Sequence, residues 1–151
     1  MLISPEVRDA LQGPFVSKDH ERRIGRLHSD LETFVTGQRI SIAMNRQDDR
    51  NAYLRRLEPA DQATWTIRSR EAKPALRVLG RFAAPDVFVA LTWRPRSVKL
   101  PWSDYDPLTD ELSWRLAIQD TVEKWHVALP DGIAAAGEEI GRYVTDNVIR
   151  V

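Results

Sequence analysis

The sequence predicts a single α+β domain: an antiparallel β-meander over about residues 65–96, with helices packed against one face. Two observations predict this class. Three β-rich segments alternate in polarity and are separated by short turns. A later segment, about 109–129, repeats apolar residues every three or four positions, as an amphipathic helix does. The chain has 151 residues, close to the usual size of one domain, so we expect residues 1–151 to form one unit.

The first predicted element is a short helix at residues 5–11, with Ser4 as its N-cap and Gly13-Pro14 at its end. Residues 31–43 leave two alternatives open. They form either a hairpin around Gly37, or the end of a helix from Asp19 to about Phe34 that is followed by one strand. Residues 45–52 are polar and predict a loop.

The meander is predicted from residues 65–70, 76–82 and 87–94, which are rich in β-formers. Turns are expected at Lys73-Pro74 and at residues 84–86. Since side chains alternate along a strand, one face is predicted to be apolar and the other to carry arginines. The apolar face collects Trp65, Ile67, Leu76, Val78, Phe82, Val87, Val89, Leu91 and Trp93. The opposite face collects Arg68, Arg70, Arg77, Leu79, Arg81, Phe88, Ala90, Thr92, Arg94 and Arg96.

The C-terminal helix at about 109–129 is predicted from a single apolar stripe. Asp110 and Glu111 favour its start, and Pro130 and Gly132 end it. The stripe comprises Trp114, Ile118, Val122, Trp125 and Leu129. A last short helix is expected within residues 133–144, with Ile140, Tyr143 and Val144 facing inward.

Charge is distributed unevenly along a chain that has 22 basic and 22 acidic residues. Residues 65–100 hold eight basic and two acidic side chains, a net of +6. Residues 101–151 hold four basic and ten acidic side chains, a net of −6. A basic centre beside an acidic C-terminal region predicts either an anionic partner or internal charge pairing.

Several classes of function find no support in the sequence. The chain has no cysteine, which excludes disulfides and thiolate metal sites. The three histidines lack metal-site spacing, and no P-loop or nucleophile elbow is present, so we expect no metal and no cofactor. Without a signal peptide or a membrane-length apolar stretch, the chain is expected to be cytoplasmic and to have no membrane partner.

The arginine face, defined as Arg68, Arg70, Arg77, Arg81, Arg94 and Arg96, predicts an anion-binding surface. Guanidinium groups match the geometry of phosphate, and the backbone of RNA or DNA is the commonest large polyanion. Phe88 and Tyr105 are candidates for stacking on an unpaired base. The alternative is that the acidic C-terminal region covers this face through intramolecular ion pairs.

The layout of residues 65–97 resembles the core sheet of the RelE/ParE-type bacterial toxins, including HigB-like proteins. A strand ends in basic residues, a second opens with an arginine, and a third apolar strand ends in basic residues. The resemblance implies an RNA-binding or RNA-cleaving domain that needs no metal. It assigns catalytic roles to Arg77, Arg96 and Tyr105, with Arg68 and Arg70 at the first basic site.

Two functions are therefore carried forward from the sequence. The first is a toxin-like domain that binds or cleaves RNA, or binds another polyanion, in which Arg68, Arg70, Arg81 and Arg94 contact the anion. The second is a non-enzymatic protein interaction module, such as an adaptor or inhibitor from a mobile element. It is suggested by the separated charges and by Trp93 and Trp102 beside the linker that precedes the C-terminal helix.

Overall fold

The computed structural model describes residues 1–45, 47, 51–70 and 73–151, and in them the chain forms a mixed sheet flanked by helices. The strands are β1 (Leu2–Ile3), β2 (Ile40–Ala43), β3 (Leu54–Arg56), β4 (Trp65–Arg68), β5 (Leu76–Ala84), β6 (Val87–Pro95) and β7 (Val148–Arg150). The helices are α1 (Pro5–Gln12), α2 (Lys18–Val35) and α3 (Glu111–Ala128). Single 3₁₀ turns lie at Ala60–Gln62 and Ile140–Arg142.

The described strands form one sheet in the order β1-β6-β5-β4-β3-β2-β7. The predicted meander is confirmed as β4, β5 and β6, and β3 extends it by pairing antiparallel with β4. The outer pairs are parallel: β1 with β6, β2 with β3, and β7 with β2. The α+β class and the packing of helices against the sheet are thereby confirmed.

One face of the sheet is covered by α1 and α2 and holds the main core. On α2, Ile24, Leu27 and Leu31 recur at helical spacing and are at most 4% exposed. They belong to the same apolar cluster as Trp65 and Phe82 of the sheet. Burial of these large side chains is the main favourable contribution to stability in a domain of this size.

The other face of the sheet is covered in part by α3. Ala117 and Ile118 pack with Leu79, and Trp125 packs with Val89 and Leu91. The predicted helix at about 109–129 is thus confirmed. Helices cover both faces of the sheet, because α3 lies opposite α1 and α2.

A β-bulge between β5 and β6 corrects the predicted faces. The pairing shifts between Leu79 and Gly80, so β6 contains one extra residue at this point. Val89 and Leu91 therefore face α3, while Phe88 and Ala90 lie in the cluster on the α2 side. The sequence prediction placed these four residues on the opposite faces because it assumed unbroken alternation. Trp93, beyond the bulge, is on the α2 side as predicted.

Gly80 is required where the two strands approach at this bulge. A Cβ atom at residue 80 would lie 2.1 Å from the carbonyl oxygen of Val89 and 2.6 Å from the ring of Phe88. Both distances are shorter than van der Waals contact, so a side chain there would push β5 and β6 apart.

The N-terminal elements show which of the two alternatives for residues 31–43 is correct. Helix α1 begins after Ser4, whose hydroxyl oxygen accepts a hydrogen bond from the amide of Val7 at 3.2 Å, as predicted for an N-cap. Residues 31–35 end α2 and β2 follows at Ile40, so the helix-then-strand alternative is confirmed and the hairpin is wrong. The buried helical stripe of α2 outweighs the short alternation at its end.

The C-terminal segment contains less helix than predicted. The helix expected within residues 133–144 is wrong, since one 3₁₀ turn forms there, although Tyr143 and Val144 are buried as predicted. The carbonyl of Gly137 instead accepts hydrogen bonds from Arg56, at 2.9 Å, and from the Tyr143 hydroxyl, at 2.7 Å. Of the loop predicted at 45–52, residues 46 and 48–50 lie outside the described residues.

Candidate anion-binding site

Helix α3 divides the arginine face into a covered half and an open half. Arg81 and Arg94 lie in the covered half, where they contact Trp125 and Asp120 of α3, respectively. Arg68, Arg77 and Arg96 lie in the open half, where they line a pocket beside the N-terminal part of α3. The two alternatives drawn from the sequence, a covered face and a free face, therefore each describe one half.

In the covered half, Arg94 is part of a network of ion pairs. Its guanidinium forms a short ion pair with Asp120 of α3 and lies 3.9 Å from Glu6 of α1. Lys124 pairs with the same two carboxylates. The Tyr105 ring packs against the Arg94 guanidinium at 3.7 Å. Arg94 is thus neutralised from within the chain, in part by the acidic C-terminal region.

Arg81 is covered without an acidic partner among the described residues. Its guanidinium lies 5.2 Å from the ring centre of Trp125, a distance that allows a cation–π contact. Burial lowers the pKa of Arg81, and its Nε has no hydrogen-bond partner in the described structure. Both covered arginines are thereby removed from contact with a large external ligand.

The open half is a pocket of about 270 Å³, called here the Arg77 pocket. Strands β3, β4 and β5 supply Arg55, Thr66, Arg68 and Arg77, and the segment after β6 supplies Arg96. Trp114 of α3 forms part of the wall. The remaining lining residues are Asn51, Ala52, Lys73, Ala75 and Ser97.

Strand register explains why cations converge in the Arg77 pocket. Arg68 of β4 lies directly opposite Arg77 of β5, and Arg77 lies directly opposite Arg94 of β6. In the neighbouring row, Arg55 of β3 lies opposite Thr66 of β4. Like charges in directly opposed positions destabilise a sheet. The fold therefore holds together a row of cations that repel one another.

Arg77 is the most perturbed group in the pocket. It is 8% exposed, and its one hydrogen bond in the described structure is to the carbonyl of Leu76, at 3.3 Å. Burial, followed by repulsion from Arg68, Arg96 and Arg55, lowers the pKa of Arg77 to about 9. Among the described residues that line the pocket there is no carboxylate. Arg77 thus remains a cation at neutral pH in a setting that disfavours its charge.

Thr66 adds a buried polar group to the same pocket. It is 3% exposed, and its hydroxyl has no hydrogen-bond partner in the described structure. A buried hydroxyl that lacks a partner is costly, and such a group often marks a place where a ligand or water binds. Thr66 can donate this hydrogen bond to an anion in the pocket.

The pocket rim is fixed from the opposite side of the sheet by α2. Arg23 of α2 donates hydrogen bonds to the carbonyl oxygens of Pro74, at 2.7 Å, and of Lys73, at 3.4 Å. The carboxylate of Asp30 accepts from the Ser69 hydroxyl and from the Arg70 amide. These bonds hold both ends of the β4–β5 connection, which places Lys73 at the rim.

The structure brings together three of the predicted site residues: Arg68, Arg77 and Arg96. Tyr105, predicted to act with Arg77 and Arg96, packs instead against Arg94 and is not among the residues that line the pocket. Arg70 lies over the Tyr53 ring, at 5.9 Å, on the α2 side. Phe88, predicted to stack on a base, is completely buried in the core.

Four pocket residues were missed by the sequence analysis: Arg55, Thr66, Lys73 and Trp114. Arg55 was missed because β3 is only three residues long and carries no clear alternation. Thr66 lies between Trp65 and Ile67, so strand alternation places it on the arginine face. A polar residue at that position was the signal that could have identified it. Trp114 was assigned to the apolar stripe of the helix, yet its ring lies 5.4 Å from the Arg96 guanidinium.

The chemistry of the pocket is that of anion recognition. Guanidinium groups, a lysine and a hydroxyl are hydrogen-bond donors, and Trp114 offers an aromatic surface. The described residues contain no group of three or more side chains suited to a metal ion. None of the described helices has the length and apolar character needed to cross a membrane.

Comparison with known proteins places this chain in no known family. No family model matches it, and neither a curated protein nor a solved structure matches it. The resemblance of residues 65–97 to the RelE/ParE-type toxins remains a prediction based on the strand layout.

Proposed function

We propose that this protein binds single-stranded RNA by seating a phosphate group in the Arg77 pocket. The observation that carries the proposal is the buried Arg77, which has no carboxylate partner among the described residues of the pocket. A buried cation of this kind is expensive for the folded state. An anionic ligand that enters the pocket would offset that cost.

The donors around the pocket suit phosphate better than a carboxylate ligand. A guanidinium group donates two parallel hydrogen bonds to phosphate, and several such groups can share its oxygens. Arg77 approaches from the floor, while Arg96 and Lys73 approach from the rim. Three cations from separate parts of the chain therefore line one pocket.

Trp114 supports RNA as the source of that phosphate. It is half-buried beside the pocket and already contacts Arg96. Aromatic side chains stack on unpaired bases whatever their sequence, which is how single strands are commonly held. A base next to the bound phosphate would then lie against Trp114.

The proposal is binding rather than cleavage. Cleavage without a metal requires a group that removes the proton of the 2′-hydroxyl as it attacks. The described lining residues include no histidine, carboxylate or tyrosine, and Tyr105 is engaged with Arg94. A toxin-like nuclease would need a further group to reach the pocket from elsewhere.

The test is a titration of fluorescently labelled single-stranded RNA at about 50 mM and about 200 mM salt. The wild type should bind, and its affinity should fall as salt rises, because bound phosphates release counterions. Arg77→Met and Arg96→Ala should each weaken binding about tenfold or more. Arg142→Ala, which removes an exposed arginine remote from the pocket, is the matched control and should bind normally. Failure to bind, or normal binding by Arg77→Met, would refute the proposal.

A second candidate is self-association through α3. Leu112 and Leu116 are one helical turn apart and are 58% and 56% exposed. A contiguous exposed apolar patch, which two neighbouring leucines can begin, is a feature of contact surfaces. Light scattering over a range of concentrations should then show a dimer that is lost in Leu112→Ser/Leu116→Ser. A wild type that remains monomeric would exclude this candidate.

A further inference from the structure

We infer that the Arg77 pocket selects a phosphomonoester, the phosphate at the end of a chain, over the phosphodiester within it. The inference rests on the proposed function, since it concerns the same pocket and names the form of phosphate that enters it. It is drawn from the depth of the donors, from their number, and from the covering of the rest of the arginine face by α3.

The deepest donors lie on the floor of the pocket. Arg77 and Thr66 are 8% and 3% exposed, and neither has an acidic partner among the described residues. Around them lie Arg68 from β4, Arg96 from the segment after β6 and Trp114 from α3. A group that reaches both floor donors must therefore project into a concave site. A terminal phosphate does so, whereas an internal phosphodiester carries a sugar on each side and meets the rim first.

The charge of the pocket fits the same ligand. A phosphomonoester carries about −1.5 to −2 charges at neutral pH and offers three strong acceptor oxygens. An internal phosphodiester carries one charge and two free oxygens. Five cationic side chains line the pocket: Arg55, Arg68, Lys73, Arg77 and Arg96. The higher charge of the monoester gives it a stronger electrostatic attraction to these five cations.

The arginine face offers no continuous path for a chain of phosphates. Beyond Arg77 the next arginine in the row is Arg94, which is paired with Asp120 beneath α3. Arg81 lies under Trp125. An RNA backbone that runs along the sheet would meet α3 immediately. The accessible cations thus lie together in one pocket and do not form a continuous line along the sheet.

The experiment compares one short RNA sequence in three forms: with a 5′-phosphate, with a 3′-phosphate, and with hydroxyls at both ends. Inorganic phosphate and a nucleoside monophosphate are tested as competitors. We expect one phosphorylated form to bind about tenfold more tightly than the hydroxyl-ended RNA, through charge-assisted bonds to Arg77. The 5′ and 3′ forms reveal which end is used. Competition by the small phosphates is also expected.

Thr66→Val is the variant that isolates the pocket floor. Valine keeps the β-branched shape of threonine and removes only the hydroxyl, so the fold should be retained. The variant should weaken binding of the phosphorylated RNA and thereby reduce its preference over the hydroxyl-ended RNA. Thermal unfolding of the variant checks that the fold is intact.

The outcomes separate this inference from the proposed function. If all three RNAs bind equally and all depend on Arg77, RNA binding holds and selection of the phosphomonoester is overturned. If the small phosphates bind through Arg77 and no RNA does, the phosphomonoester pocket holds and RNA binding is overturned. If nothing binds, both are overturned.

Discussion

Replacement of Arg77 by methionine should stabilise the protein while it removes binding. Arg77 is a buried cation opposite two other arginines, so its charge opposes folding. Methionine has a similar length and no charge, and its flexible side chain fills irregular spaces. Most substitutions in a core destabilise, so a gain in stability at this position would be specific evidence for a charge retained for a ligand.

The size of the effect follows from the pKa. Burial and neighbouring cations lower the pKa of Arg77 from the ordinary value of arginine to about 9. A difference of that size corresponds to at most about 5 kcal/mol, at about 1.36 kcal/mol for each pKa unit. The variant also loses the hydrogen bond to Leu76, which contributes about 1 kcal/mol. We therefore expect Arg77→Met to raise the free energy of unfolding by about 1–4 kcal/mol.

The assay is urea unfolding at pH 7 in phosphate-free buffer, followed by the fluorescence of the five tryptophans. Arg94→Met is the matched control, because Arg94 lies directly opposite Arg77 but is paired with Asp120. Loss of Arg94 weakens the ion-pair network and should lower the free energy of unfolding by about 1–3 kcal/mol. The same substitution at two cross-strand neighbours, Arg77 and Arg94, should thus change the free energy of unfolding in opposite directions.

The pH dependence gives a second measurement. Because the pKa of Arg77 is lower in the folded state, the unfolded chain binds more protons than the folded chain above about pH 9. The wild type should therefore gain stability relative to Arg77→Met as the pH rises through about 9. Loss of stability in Arg77→Met at pH 7, or a stability difference that does not change above pH 9, would refute the reasoning.

Three further predictions concern positions outside the Arg77 pocket. Gly80→Ala should lower the free energy of unfolding by about 3 kcal/mol in thermal or urea unfolding, since the added Cβ meets the carbonyl of Val89 at 2.1 Å. Asp110→Ala should cost about 1 kcal/mol in the same measurement, because Asp110 accepts a hydrogen bond from the Ser113 amide at 2.8 Å and caps α3. Tyr105→Phe should leave RNA affinity unchanged in the binding titration. Weakened binding would show that the Tyr105 hydroxyl takes part in RNA binding.

The sequence was sufficient for the meander and for α3 because both have strong periodicity. Trp65 and Ile67 alternate with polar residues, and Ile118 and Trp125 recur at helical spacing. The bulge at Gly80 could not be predicted, since one extra residue leaves no mark in composition. Strand β3 was missed because three residues are too few to show a period. Its pairing with β4 depends on tertiary contacts.

The candidate site was only partly predictable for the same reason. The sequence placed Arg68, Arg77 and Arg96 on one face, and the structure joins them in one pocket. Whether an arginine of this face is neutralised by the C-terminal region depends on α3, which brings Asp120 to Arg94 across 26 residues of sequence. Local periodicity carries no information about such a contact. The candidate role of Thr66 likewise depends on its burial, which cannot be inferred from the sequence.

The bulge at Gly80 has a consequence for how β6 tolerates change. Val89, before the bulge, and Leu91, within it, pack against Trp125 of α3, while Arg94 beyond it pairs with Asp120 of α3 on the same face. The extra residue, Leu91, lies between Ala90, which pairs with Gly80, and Thr92, which pairs with Leu79. Deletion of Leu91 would leave a regular ladder in which Trp93 and Arg94 keep their faces, while α3 would lose one apolar contact on β6. The length of β6 can therefore change by one residue at this point without turning the arginines.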